Sequence, residues 1–193
     1  MWANLPNLTP LILIVSAAFA YVSIKSAART ARQKATLDLI EKFETDEKYR
    51  RIQKTFKRYR NESRLGRLHA PAISAEKTDR QDILDFLNHY ELIAIGIKNE
   101  TLDGDFYGLW MKGVVVRDWN DAADFIQRER WKYSNKDGKW VYYDQIFANF
   151  GWLAWHWDVK ARRLTRYSSS PPANAEGPGD RDYRDPLTMV NQS

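Results

Sequence analysis

No charged side chain precedes Lys25, and beyond it one follows every few residues. A chain that starts this way must place residues 8–24, Leu-Thr-Pro-Leu-Ile-Leu-Ile-Val-Ser-Ala-Ala-Phe-Ala-Tyr-Val-Ser-Ile, away from water. A bilayer core of ~30 Å takes roughly 20 helical residues. Thr9 and Pro10 form a helix start, with proline where its missing N–H costs nothing. A helix over residues 10–28 is then ~28 Å long at ~1.5 Å per residue. Lys25 lies inside that helix and snorkels to the headgroups, while Trp2 and Tyr21 suit the two interfaces. A cleaved signal peptide wants a basic region ahead of its apolar core; none is present, although Ala18-Phe-Ala20 has the form of a cleavage site. An interfacial helix needs a polar face, which this stretch lacks. The sequence predicts a single membrane span.

The flanks orient it. Lys25, Arg29, Arg32 and Lys34 follow the span, and no Lys or Arg precedes it in the sequence. The positive-inside rule therefore predicts an inner-membrane protein with its N-terminus outside and its C-terminal domain in the cytoplasm. The absence of cysteine agrees with a reducing compartment. The predicted organisation is a membrane anchor over residues 1–28, a cytoplasmic helical domain over 29–165 and a disordered tail over 166–193. That tail is rich in Ser, Pro, Gly and Asp and poor in large apolar residues.

The net charge of +5 is unevenly spread. Residues 25–67 carry 14 Lys and Arg against 6 Asp and Glu, whereas residues 68–193 carry 16 against 19. The basic character belongs to the membrane-proximal part of the sequence, which suits an anionic leaflet. The nearby anchor favours lipid over nucleic acid as its partner.

The soluble part reads as all-α, an irregular helical bundle continuous with the anchor. Leu37, Ile40 and Phe43 keep helical spacing through residues 28–44, and Thr45 or Asp46 caps a new helix. That helix carries Tyr49, Ile52, Phe56 and Tyr59 on one stripe, amid many cations. Two readings follow: an anionic surface is bound through Lys54, Lys57 and Arg58, or the stripe faces the core. Residues 61–77 read as a loop. Thr78-Asp-Arg-Gln81 has the form of a capping box opening a helix over 79–98, with Ile83, Phe86, Leu87, Tyr90, Ile93, Ala94 and Ile97 on its inner arc. Asp103 then starts a shorter helix bearing Phe106, Leu109, Trp110 and Val114. Asp118 caps another with Trp119, Ala122, Ala123 and Ile126 inward. Residues 134–138 form a turn, residues 140–143 an extended piece, and residues 144–162 a last, tryptophan-rich helix. Its Trp152, Trp155 and His156 are a candidate interaction surface for a protein partner.

Three blocks of this sequence resemble an uncharacterised bacterial domain-of-unknown-function family of short, single-span, helical proteins. They are Arg29-Thr-Ala-Arg-Gln-Lys-Ala-Thr-Leu37 after the anchor, Leu87-Asn-His-Tyr-Glu-Leu-Ile-Ala-Ile-Gly-Ile97, and the aromatic stretch from Phe125-Ile-Gln-Arg-Glu-Arg130 to Trp157. The resemblance covers most of residues 28–158 and implies an anchored helical domain. It implies no activity.

Chemistry is sparse. Without cysteine there is no thiolate metal site, and no His-Glu-x-x-His, phosphate loop, dinucleotide glycine pattern or Gly-x-Ser-x-Gly occurs. No cofactor and no metal is predicted. Asp82, Asp85 and His89 share one helix face, which reads as a solvated surface rather than a cation site. Glu91 falls inside the apolar arc, so it should be paired or have a raised pKa. The structural reading gathers Asn88, Glu91, Arg128 and Arg130 into a buried polar cluster. The catalytic reading makes Glu91 a general acid or base on a lipid or phosphorylated substrate, with no second catalytic group to complete it. The leading expectation is a non-enzymatic interaction or regulatory module at the membrane.

Overall fold

A computed structural model describes residues 9–69, 71 and 73–166. Trp2 and nearly all of the predicted tail lie outside the described residues. The architecture is helical throughout apart from one hairpin: α1 (Thr9–Thr45), α2 (Glu47–Asn61), a 3-10 segment (Leu65–His69), α3 (Ser74–Lys98), α4 (Gly104–Glu129), β1 (Trp131–Ser134), β2 (Lys139–Tyr142) and α5 (Ala148–Trp157).

Helix α1 is a single element from the apolar run into the domain, as its unbroken helical pattern predicts. Its first part is long and apolar enough to cross a bilayer, and no residue of it is buried against the rest of the chain. The packed part begins near Arg32: Thr36 is fully buried, and Leu39, Ile40 and Phe43 lean on the core. Asp46 ends the helix and caps α2, its carboxylate accepting the Tyr49 N–H at 3.2 Å, which satisfies one of the unpaired donors of a helix start.

The stripe Tyr49, Ile52, Phe56 and Tyr59 is buried, so the core-facing reading of α2 holds. Phe56 packs on Phe86 of α3 with ring centroids 4.5 Å apart. The charges beside the stripe set the register of the two helices. Lys48 meets Asp85 at 3.2 Å, Arg51 meets Asp82 at 3.3 Å, and Arg58 meets Asp79 at 2.9 Å. Rising numbers on α2 match falling numbers on α3, so the helices are antiparallel.

Four sequence expectations are corrected here. Helix α3 starts at Ser74, not Asp79, after an extended Ile73. Its capping box does not form: Thr78 bonds back to the Ser74 carbonyl, and Gln81 donates to Asp85. Four residues of helix precede the Thr-x-x-Gln pattern, so the orphan N–H groups it would cap are already inside the helix. Within residues 61–77, Leu65 and Leu68 of the 3-10 segment are buried core residues. Finally, α4 is one helix of 26 residues where two were expected, and Asp118 lies in its middle rather than at a start. Asp103 caps it, accepting the Phe106 N–H at 2.9 Å. The helix runs on through Gly113, where an added Cβ would meet open space.

The hairpin pairs Trp131 with Tyr142 and Ser134 with Lys139. The turn and its second strand follow the sequence reading; the first strand was unexpected, because residues 131–134 carry the same aromatic signal as the helix before them. Helix α5 is shorter than predicted and inserts Phe150, Gly151, Leu153 and Ala154 into the core. Gly151 is required there, since a Cβ would come within 2.8 Å of the Trp119 ring.

Candidate functional site

Glu91 of α3 does face a partner, but not an arginine. One carboxylate oxygen accepts the main-chain N–H of Asn149 at 3.1 Å and its side-chain amide at 2.8 Å; the other accepts the Phe150 N–H at 2.8 Å. These are first-turn donors of α5, which has no side-chain cap of its own. A carboxylate there also meets the positive end of the helix dipole. Glu91 is an external cap.

The expected cluster of Asn88, Glu91, Arg128 and Arg130 is not brought together. Asn88 and Arg128 are exposed. Arg130 is buried, but its guanidinium donates to the carbonyls of Ile146 at 3.0 Å and Leu164 at 3.3 Å and to the Tyr142 hydroxyl at 3.4 Å. It ties the hairpin and residues 158–166 to the end of α4.

Two buried carboxylates, Glu129, which the sequence reading passes over, and Asp118, which it takes for a helix cap, form polar centres of the domain. Glu129 is 2% exposed. It takes the Arg80 guanidinium through two hydrogen bonds, the Lys132 ammonium at 2.9 Å and the His69 ring nitrogen Nδ1 at 3.3 Å. Burial pushes this carboxyl up, but His69, Lys132 and Arg80 outweigh burial and hold it down at about 2. Asp118 accepts Arg60 at 2.9 Å, Arg117 at 3.1 Å and the Tyr90 hydroxyl at 2.9 Å. Burial, then the Asp118 charge, holds the Tyr90 phenol well above its ordinary range. Apart from the neighbouring Lys132 and Arg117, the partners lie 28–60 residues away in the chain, which is why no local motif marks either centre.

Asp82, Asp85 and His89 are not on a solvated face. Asp82 is buried against the Thr55 hydroxyl at 3.1 Å and Arg51. His89 packs edge-on against the stacked Phe43 and Tyr49 rings, at 4.8 and 4.9 Å. Among the described residues no group of three or more His, Asp or Glu is arranged to hold a metal ion.

On α2, Lys54, Lys57 and Arg58 are exposed. Lys57 donates to Gln53 and Arg58 pairs with Asp79, so only part of this row keeps its charge unengaged. On α5 the three predicted contact residues separate. Trp152 stacks on the exposed His156 ring at 5.3 Å and carries the Lys98 ammonium over its other neighbourhood at 5.4 Å. Trp155 turns away to donate to the Arg162 carbonyl at 2.8 Å, with the Arg163 guanidinium over its ring at 4.2 Å.

Leu109 and Trp110, which the sequence reading put on a helix without assigning them a face, are 87% and 52% exposed, because α4 buries Tyr107, Val115 and Val116 instead. They line an open groove of about 670 Å³ with Lys112, Val116, Arg117 and Lys160.

The model of the DUF4760 family, a domain of unknown function, matches residues 10–157. The chain belongs to this family. The DUF4760 match begins in the apolar part of α1 and ends on the last residue of α5. The family unit therefore takes in the long apolar helix together with the bundle, in line with the domain-of-unknown-function resemblance carried by the three sequence blocks. No curated protein and no solved structure matches this DUF4760 chain.

Proposed function

We propose that this DUF4760 protein is a membrane-anchored, non-enzymatic interaction module whose domain stands on the cytoplasmic side of the inner membrane. The observation that carries the reading is the division of α1. Leu11, Ile12, Leu13, Ile14, Val15 and Phe19 are each at least 60% exposed, yet the same helix becomes a wall of the core from Thr36 onward. So large a run of exposed apolar side chains wants hydrocarbon around it. The cations at Lys25, Arg29, Arg32 and Lys34 supply the orientation. The test is to introduce Val15→Arg and Phe19→Arg together. Each arginine costs roughly 2.5–3.5 kcal/mol at a span centre, so the variant should leave the membrane pellet after alkaline extraction while the parent stays. Equal release of both proteins would sink the anchor.

The Trp152–His156 face of α5 supports the interaction part of the reading. It combines an exposed imidazole and an adjacent lysine with a half-buried indole, and tryptophan is a side chain that hot spots favour. A photo-crosslinker at His156 should capture one stoichiometric partner in solubilised membranes, and Trp152→Ala should abolish it. A repeated blank would remove this role. The alternative of acid–base catalysis at Glu91 has little support, since both oxygens already serve three N–H donors.

A further inference from the structure

The helix register fixes which end of the domain is nearest the apolar part of α1. Phe43 of α1 packs on His89 of α3, and Arg32 bridges to Glu100 in the turn after α3 at 2.9 Å. The two contacts are eleven residues apart on each strand of the pair and run in opposite senses. Helix α3 therefore descends along α1 toward its apolar half. The Asp103 N–H reaches the Thr36 hydroxyl at 2.9 Å and pins the following turn there.

The other helices inherit this polarity. Gly104 starts α4 against Ile97, while Tyr90 meets Asp118 and Arg80 meets Glu129 further along. Helix α4 thus climbs away from the α3–α4 turn. Helix α5 starts at Glu91 and ends with Trp157 against Gly108, near the beginning of α4. The start of α4 and the end of α5 consequently share one end of the domain. Arg32 and Thr36 lie only ~6 and ~12 Å along the axis from Ala28, at ~1.5 Å per residue.

That end has an unusual surface. Leu109 is 87% exposed, Val159 92% and Trp110 52%. Lys112 and Lys160 line the same groove as Leu109 and Trp110. Of the nearby acids, Glu100 is taken by Arg32, Asp103 caps α4, Asp158 binds the Lys160 N–H, Asp121 lines the groove with the Arg60 guanidinium 3.9 Å away, and Asp105 is left exposed. Apolar and tryptophan side chains rimmed by lysine are what the bilayer–water interface accommodates.

We infer that this end of the domain is a lipid-contacting foot: Leu109, Trp110 and Val159 enter the headgroup layer, and Lys112 and Lys160 meet lipid phosphate. The inference rests on the anchor reading above. The bundle lies on one side of α1, the side of Thr36, Ile40 and Phe43, so an ordinary tilt of ~20° toward that side lowers the foot to a headgroup layer ~5–8 Å deep. The same polarity carries Lys54 and Lys57, paired in level with the early part of α3, to the far end. They are there several Debye lengths, at ~8 Å each, from the lipid charge.

The chain has no cysteine, so single-cysteine labelling reads this directly. Leu109→Cys, Val159→Cys and Glu62→Cys each alter an exposed position, and each full chain would be labelled with an environment-sensitive fluorophore. Reconstitution uses phosphatidylcholine vesicles containing phosphatidylglycerol and a headgroup-spin-labelled lipid. The labels at 109 and 159 should be quenched several-fold more than the label at 62, which lies at the far end of α2. Equal quenching at all three positions, in protein that resists alkaline extraction, overturns the foot and leaves the anchor standing. Protein that is extracted removes both.

Discussion

The Glu91 carboxylate of α3 accepts the Phe150 main-chain N–H of α5 at 2.8 Å, so one helix caps another from the side. The bond explains how an acid tolerates an otherwise apolar arc, and how α5 starts after a left-handed Phe147 with no cap of its own.

Glu91→Ala should therefore cost about 2–3 kcal/mol, the loss of three hydrogen bonds from a charged acceptor at a helix N-terminus. Glu91→Gln keeps one acceptor oxygen and should cost about half as much. Denaturant midpoints of the two variants check the order. A neutral Glu91→Ala would mean that α5 is held by its aromatic contacts alone.

Glu129 predicts acid sensitivity of defined sign. Its pKa falls from an ordinary 4.5 to about 2 on folding. A depressed carboxyl stabilises the fold fully above the unfolded value and loses that contribution as pH falls through the folded one. The window is therefore from about pH 4.5 down to about 2, and the stake is ~3 kcal/mol. Stability measured across this window should slope less steeply in Glu129→Gln, which should also be weaker than the parent at neutral pH because Arg80 and Lys132 lose their counter-charge.

Gly151→Ala tests the packing of α5. The added methyl meets the Trp119 ring at 2.8 and 3.1 Å, and that ring is fully buried and held by its bond to the Arg162 carbonyl at 2.9 Å. A rigid neighbour turns the usual helix gain of alanine into a loss of about 1–3 kcal/mol. Thermal unfolding of the variant at or above the parent midpoint would contradict this packing.

Asp118→Ala and Tyr90→Phe should be non-additive. The first leaves the Tyr90 hydroxyl without its acceptor and the second leaves one Asp118 oxygen without its donor, whereas the double variant removes both sides of the 2.9 Å bond. A double-mutant cycle should return a coupling of about 1–3 kcal/mol. Zero coupling would assign Asp118 wholly to Arg60 and Arg117.

What the sequence made legible follows the range of each signal. The α2 stripe and the inner arc of α3 could be read because helical period is local. The Asp46 and Asp103 caps lie within three residues of the N–H groups they serve. The Thr78 capping box failed because the same four residues fit a helix interior once Ser74 begins the turn. Asp118 looks like a cap on either side of its neighbours; only Tyr90 and Arg60, from other helices, show that it is a buried acceptor. Glu129 was hidden for the same reason, with Arg80 and His69 far away in the chain. Leu109 and Trp110 could be given no face, because apolar character alone does not say which side of α4 meets the core.

Helix α1 has no break between Thr9 and Thr45. At ~1.5 Å per residue it is a rod of roughly 55 Å, gripped by the domain along one part and bare along the other. With no hinge between these parts, a lean of ~10° at the bare end swings the gripped end by ~10 Å, from the same rise per residue. Rotation about the rod is passed on in full. Stem and domain therefore tilt and turn as one body.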